Sequence, residues 1–314
     1  MKDQDHPVAE PESWRVVVFT TLPGGVAYTQ LDEVVHRLGH AIVGVVTTPG
    51  PKRRRSRAYL DVVAAVPPGV DVIVSTHPER WAAMLAPLRP DLIISRSFPW
   101  RIPADVLALP RLGAINGHPA LLPKYRGPNP LRWALRNGDT EPGYTVHWTT
   151  SDFDTGSILA QGRIPIGEDE SGDALMAKLG ALTLGLFQQA LERIARGEQG
   201  EPQDETQASY AGLFEDEWRS IDWARSAREI HNQVRSWSVL GDGKDGARGE
   251  IEGEVLQIAT TQLLPVEETH GASPGTILRR DGDRVVVQCG DGPIAIVAWS
   301  RLEAGLGTGL LSSV

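Results

Sequence analysis

Short β-branched and aliphatic runs recur along the first half of the chain, at positions 14–20, 41–47, 71–75, 91–95 and 112–116. Each is strand-sized and predicts a strand, and the run at 14–20 predicts a buried one. Between them, positions 27–38 carry a helical pattern that ends at Gly39, and positions 78–88 look helical. Strands alternating with helices predict βαβ units and a mainly parallel twisted sheet. After Asn116 the pattern changes. Positions 117–130 are rich in Pro and Gly and predict a long irregular loop, and 131–136 predict a short helix. Two more strands are expected at 144–150 and 158–165, then a sustained helix over 171–196 through Leu175, Leu179, Leu182, Leu186 and Ile194.

Positions 198–209 are polar and predict a linker. Beyond them, Ser226 and Glu229 have capping-box spacing, with Ile230, Val234 and Trp237 on one helix face. Strands are expected at 255–259, 276–278, 284–288 and 294–298, separated by Gly and Asp turns such as 280–283. This predicts a small β-barrel of the oligonucleotide-binding (OB) type. The expected organisation is a mobile tail over 1–13, an α/β domain over 14–197, the linker, and an OB-like domain over 210–314.

A chain of 314 residues is too long for one ordinary core, which fits this division. Its formal charge of −9 opposes nucleic acid overall, leaving the basic run at 52–57 as the one local patch for it. Such a run is usually a solvated loop. Cys289 is the sole cysteine, which excludes an internal disulfide and fits a reducing cytoplasm. No secretory signal opens the chain, and the apolar runs are too short to span a membrane. Gly24 and Gly25 lack the remaining glycines of a dinucleotide loop and predict a turn. Cys289 reads as core filler, and neither His147 nor His231 has ligand-type neighbours in sequence, so no metal site is expected.

The chemistry concentrates in the segment 115–127, Ile-Asn-Gly-His-Pro-Ala-Leu-Leu-Pro-Lys-Tyr-Arg-Gly. Asn116 and His118 stand two apart at a strand end, so they share a face, and the carboxyl ends of parallel strands are where α/β sheets bind ligands. A later segment, Ser151-Asp-Phe-Asp-Thr-Gly156, offers Asp154 beside a glycine turn. Acyl transfer to an amine uses an amide donor for an oxyanion, an imidazole for proton exchange and a carboxylate that orients the imidazole. Alone, Asn116 and His118 could as well satisfy loop backbone. Flanking motif and later carboxylate together favour chemistry.

With these residues in place, the chain resembles the folate-dependent formyltransferases. Asn-x-His, Leu-Leu-Pro-x-Tyr-Arg-Gly and the later Asp-Thr-Gly carry the likeness, and the segments 220–231 and 274–278 extend it into the second half. The resemblance implies a Rossmann-like catalytic domain and 10-formyltetrahydrofolate as formyl donor. It implies Asn116, His118 and Asp154 as the catalytic trio. It also implies a folate pocket formed by Ser97, Phe98, Trp100, Arg101 and Ile102 after the fourth strand, with Asp152 in the loop before Asp154. Trp100 and Trp148 could be core residues or flank a pterin ring.

Three features depart from the branch that formylates methionyl-tRNA. The motif continues Gly127-Pro-Asn-Pro-Leu-Arg-Trp133, where that branch has a Gly-Ala-Ala-Pro-Ile-Gln type of run. A Pro-Trp-Pro-Gly type of turn is replaced at 239–246, and the chain closes in a Gly-rich run. The basic run at 52–57 sits where that branch grips tRNA, so a tRNA acceptor is a second expectation. Together with the negative charge, the departures favour a small amine: an amino sugar, or a natural-product building block such as hydroxyornithine. A formyltetrahydrofolate hydrolase is less favoured, because only thirteen residues precede the first strand.

Overall fold

The structure is a computed structural model and describes residues 12–22, 24–50, 57–170, 172–239, 246–265 and 271–301. The tail to residue 11, most of the basic run (52–56), the turn at 240–245 and the chain end from 302 lie outside the described residues. Contacts group the chain into two compact units. One comprises Met1–His118, Tyr144–Gly162 and Leu182–Thr206; the other comprises Pro119–Gly143, Arg163–Ala181 and Gln207–Val314.

In chain order the elements are β1 (Arg15–Thr20), α1 (Gly25–Arg37), β2 (Ala41–Thr47), α2 (Ala58–Ala65), β3 (Asp71–Val74), α3 (Trp81–Leu85), β4 (Leu92–Arg96), α4 (Ala104–Leu107), β5 (Ala114–His118), α5 (Pro130–Asn137), β6 (Gly143–Trp148), β7 (Ile158–Arg163) and α6 (Gly172–Ala195). The first unit is built on a seven-stranded sheet of order β3–β2–β1–β4–β5–β6–β7. Strands β1 to β5 pair in parallel, and β6 runs antiparallel to β5. This is the mainly parallel twisted sheet expected. Residues 16–20 of β1 are all buried, as a central strand covered on both faces requires. On one face, Phe19, Trp81 and Phe98 pack edge-to-face at centroid distances of 5.2–5.7 Å.

The helix expected over 78–88 breaks into a 3-10 turn, the five residues of α3 and a second 3-10 turn. Pro87 has no amide hydrogen to continue the helix, and Arg89 ends the turn with φ of 46° before Pro90. α6 is long and apolar enough to cross a bilayer by composition, which corrects the expectation that every apolar run is strand-sized. Its buried positions Leu175, Leu179, Thr183, Leu186, Ala190 and Ile194 recur every three or four residues, and this is the stripe of a helix packed on a core.

In the second unit, α7 (Ala227–Ser238) accompanies β8 (Ala247–Ile251), β9 (Glu254–Leu263), β10 (Ile277–Asp281), β11 (Arg284–Gln288) and β12 (Pro293–Arg301). The strands form one antiparallel sheet of order β10–β11–β12–β9–β8. Trp223, Ile230, Val234 and Trp237 share its core with Ile258, Val285, Val287 and Ile296. Cys289 lies in that core as expected, its thiol pushed up to about 12 by burial, with Asp291 adding to the effect.

The capping box of α7 is formed. The Glu229 amide donates to Ser226 Oγ at 3.2 Å, and the Ser226 amide donates to the Glu229 carboxylate at 3.1 Å. Hydrogen bonding, first from Arg225, holds the Glu229 carboxyl at about 2 against an ordinary 4.5. A depressed carboxyl stabilises the fold above its unfolded pKa and loses that contribution as pH falls. The window here runs from 4.5 down to about 2. Ser226→Ala is expected to cost about 0.5–2 kcal/mol and to reduce the loss of stability in this acid window. Thermal unfolding between neutral pH and pH 2 measures both.

Candidate active site

β5 ends in Ala-Ile-Asn-Gly-His118, between parallel β4 and antiparallel β6. Alternation puts Asn116 and His118 on one face and Gly117 on the other. The β5–β6 register sets His147 opposite Asn116 and Thr145 opposite His118. Directly opposed residues share a face, so His147 joins the pair.

Asp154 reaches this face from the loop after β6. Its φ of 56° is left-handed, a region that Asp tolerates better than most residues. The loop is held in place: Gln203 Nε2 donates to the carbonyls of Asp154 and Gly156 at 2.7 and 2.8 Å, and the Thr150 and Thr155 hydroxyls meet at 2.7 Å. A side chain at Gly156 would collide with the Trp148 backbone, its Cβ lying 2.6 Å from the carbonyl carbon. That close approach explains the glycine of Asp-Thr-Gly.

Four side chains converge. His118 Nδ1 stands 3.5 Å from Asp154 Oδ2, and His147 Nε2 stands 3.4 Å from Asp154 Oδ1. Asn116 Nδ2 donates to Asp154 Oδ1 at 3.3 Å and lies 3.4 Å from His147 Nε2. These distances are looser than the usual 2.7–3.2 Å, as catalytic hydrogen bonds often are before substrate closes the site. His118, His147 and Asp154 are buried at 4%, 1% and 9% exposure, so the carboxylate is shielded from water and its charge acts at short range on both rings. His147 Nδ1 faces the Trp148 carbonyl at 2.8 Å, and a carbonyl only accepts, so that nitrogen carries a proton. In the neutral ring Nε2 then accepts from Asn116; in the cation it donates to Asp154.

The strand order reverses at β1 and β4, and the loop after β4 flanks that switch point, a usual ligand position in such sheets. A cleft of about 720 Å³ lies there, lined on one side by Trp100, Arg101, Ile102 and α4 and on the other by Thr149, Thr150 and Ser151. Trp100 Nε1 and Thr149 Oγ1 are buried there with no hydrogen-bond partner among the described residues. The Arg101 guanidinium lies 5.6 Å from the Phe153 ring centroid and 3.9 Å from Asp152, which is exposed and is not among the residues lining the cleft. Ser97 is exposed with φ of 52°, and Phe98 packs into the aromatic cluster around Phe19 and Trp81. Neither lines the cleft. Trp148 donates its indole N–H to the Gln199 carbonyl at 3.1 Å, and its ring lies close to Gly113.

Residues 14–191 match the formyl transferase family, and residues 214–303 match its C-terminal domain. The chain belongs to the formyl transferase family. It is 33% identical over 273 residues to methionyl-tRNA formyltransferase of Acetivibrio thermocellus, covering 84% of this chain and 85% of the other. Among solved structures it shares its fold with the N-formyltransferase from Helicobacter canadensis in complex with folinic acid and dTDP-3-aminofucose. There the identity is 19%, coverage is 92% of this chain and 100% of the other, and the TM-score is 0.68. It also resembles HypX from Aquifex aeolicus in complex with tetrahydrofolic acid, at 19% identity, 92% and 44% coverage and a TM-score of 0.65.

For this formyltransferase, inspection of the sequence missed His147. In sequence it reads only as a histidine without metal-ligand neighbours; strand pairing brings it to Asn116, 31 residues upstream, and the loop after β6 brings Asp154 to it. Taking one partner from a buried polar cluster costs about 1–3 kcal/mol. His147→Leu is therefore expected to lower kcat roughly ten- to a hundredfold and leave KM for the folate donor nearly unchanged. Steady-state kinetics across pH check this; unchanged kcat and an unchanged pH profile would exclude a role for the ring.

Proposed function

We propose that this formyltransferase moves the formyl group of 10-formyltetrahydrofolate to the amine of a small molecule, with Asn116, His118 and Asp154 as its catalytic residues. The observation that carries formyl transfer is the convergence of these three side chains on one buried face at the end of β5. The cleft after β4 fits the donor. Trp100 and Ile102 offer apolar surface, the unpartnered Trp100 and Thr149 groups suit a polar heterocycle, and Arg101 suits a carboxylate. Bound there, 10-formyltetrahydrofolate supplies the formyl carbon. Asn116 keeps one amide N–H on Asp154 and turns the other, which faces His147 Nε2, to the oxygen on which charge gathers as the amine attacks. Asp154 holds His118 by Nδ1, leaving Nε2 to accept the proton that the amine must lose and to return it to the folate nitrogen N10 as the bond between the formyl carbon and N10 breaks, which releases tetrahydrofolate.

The preference for a small acceptor rests on the net charge of −9 and on the departures from the tRNA branch at 127–133 and 239–246. The likeness to methionyl-tRNA formyltransferase supports methionyl-tRNA as the second reading. A parallel acceptor screen separates them: release of tetrahydrofolate is followed with methionyl-tRNA, amino-sugar nucleotides and hydroxyornithine. A small amine is expected to be turned over, and neutralising positions 52–57 is expected to leave that turnover unchanged. Efficient formylation of methionyl-tRNA at physiological salt would sink the small-acceptor reading.

A further inference from the structure

The polar segment 198–209 reads as a linker, and its residues up to Thr206 group with the first unit. Glu201 exchanges both backbone hydrogen bonds with Ile158 at the start of β7, at 2.7 and 2.9 Å. Gly200 lets the chain come this close: its φ is 76°, and a Cβ there would collide with the Ile158 carbonyl. Arg193, near the end of α6, fixes the segment by its side chain. The guanidinium donates to both Glu201 carboxylate oxygens at 2.8 and 3.0 Å, to Glu198 at 2.6 Å and to the Leu159 carbonyl at 2.8 Å. A guanidinium that meets a carboxylate through two N–H bonds sets direction as well as distance.

Gln203 reaches from this braced segment to the loop after β6. Its side-chain nitrogen donates to the carbonyls of Asp154 and Gly156 at 2.7 and 2.8 Å. Those carbonyls stand two residues apart, so a single amide group fixes the backbone that directly follows the Asp154 side chain. The turn needs such a hold. Asp154 has φ of 56°, costly for a residue with a Cβ, and a conformation of this kind persists only where its surroundings impose it.

A small movement of this turn matters to the chemistry. Asp154 stands 3.5 Å from His118 Nδ1 and 3.4 Å from His147 Nε2, already at the outer edge of hydrogen bonding. A carboxylate that swung further away would lose its hold on both rings, and burial leaves little solvent to take its place.

We propose that Gln203 is a positioning residue for formyl transfer: braced by Arg193 and by the pairing of Glu201 with Ile158, it sets the turn that aims the Asp154 carboxylate at His118. This rests on the reading of Asp154 as catalytic and deepens it.

Histidine NMR on the full chain, without folate or acceptor, tests this apart from turnover. The titratable side chains that meet on this face are Asp154, His118 and His147. The two ring signals are assigned with His118→Asn and His147→Leu. A nearby carboxylate favours the imidazolium, so a carboxylate that drifts away weakens a ring's hold on its proton. Gln203→Met keeps the length of the side chain and removes the donor. In that protein the proton affinity of the His118 ring is expected to fall roughly tenfold, while histidines away from this face titrate as in the parent. Gln203→Asn keeps the amide but shortens its reach, and should fall between the two. In single-turnover formyl transfer, Gln203→Met is expected to lower the rate about ten- to a hundredfold and leave KM for the donor nearly unchanged. In an Asp154→Ala background the same change should cost almost nothing further, because Gln203 acts through Asp154. Identical His118 titrations in the parent and Gln203→Met proteins would overturn the proposal. So would a shift of every histidine, which reports general loosening of the fold, and so would fully additive losses with Asp154→Ala. If Asp154→Ala turns over normally, the catalytic reading fails and takes this proposal with it. If Asp154→Ala is crippled while Gln203→Met is not, only this proposal fails.

Discussion

Replacing His118 by alanine is expected to lower kcat by roughly 10²–10⁴-fold, the range for a positioned acid–base group. Asn116→Ala removes the donor to the developing oxyanion and is expected to cost about 2.7–4 kcal/mol of transition-state energy. Asp154→Ala should fall in the same range, because the carboxylate stands 3.3–3.5 Å from Asn116, His118 and His147 and organises all three. Donor binding should change little, because the cleft after β4 is lined by none of these residues. The loss should therefore appear in kcat rather than in KM. The double variant Asn116→Ala/His118→Ala should lose far less than the product of the single losses, since groups that act as a unit are not additive. Single-turnover formyl transfer to the acceptor found in the screen measures all four proteins. Near-normal turnover by Asp154→Ala would remove the carboxylate from the mechanism. Independent, multiplying losses would mean that the residues do not act as one group.

Much of the first unit was legible because its central strands, such as β1 and β4, are buried on both faces. Such strands read as plain apolar runs, and β2 was placed residue for residue over 41–47. The Asn116–His118 spacing was legible for a related reason: a period of two needs no knowledge of neighbours. Features that depend on partners were hidden. β8, Ala-Arg-Gly-Glu-Ile251, has a glycine and two charges in five residues, and it becomes a strand by pairing along β9. α2 is two turns long with no side-chain cap, so propensity alone gave it little signal. Phe98 sits in the loop whose residues 100–103 line the cleft after β4, and its ring packs against Phe19 and Trp81. His147 needed the antiparallel register of β6, and nothing local announces a strand's direction.

The middle residue of Asn-Gly-His carries the other large expected effect. Gly117 points away from the catalytic face, toward the ring of Tyr144 and Phe187 of α6. A Cβ there would stand 2.8 Å from Phe187 Cζ and 2.9 Å from Tyr144 Cε1, with the Tyr144 hydroxyl nearer still. Both rings are buried, at 4% and 0% exposure, and a close-packed core gives them little room to retreat. Gly117→Ala is therefore expected to lose about 1–3 kcal/mol of stability through overpacking. The strain has a second outlet. If β5 shifts instead of the rings, Asn116 and His118 move with it, and a displacement of about 1 Å can cost roughly a hundredfold in rate. Rescue distinguishes overpacking from an intrinsic need for glycine in the backbone. Gly117→Ala combined with Tyr144→Phe removes the atom nearest the new Cβ, and adding Phe187→Leu relieves the next. Stepwise recovery of thermal stability and of kcat across these proteins is the expected result. If relieving both rings recovers neither, crowding at this position is not the cause, and the packing origin assigned to the motif's glycine is wrong.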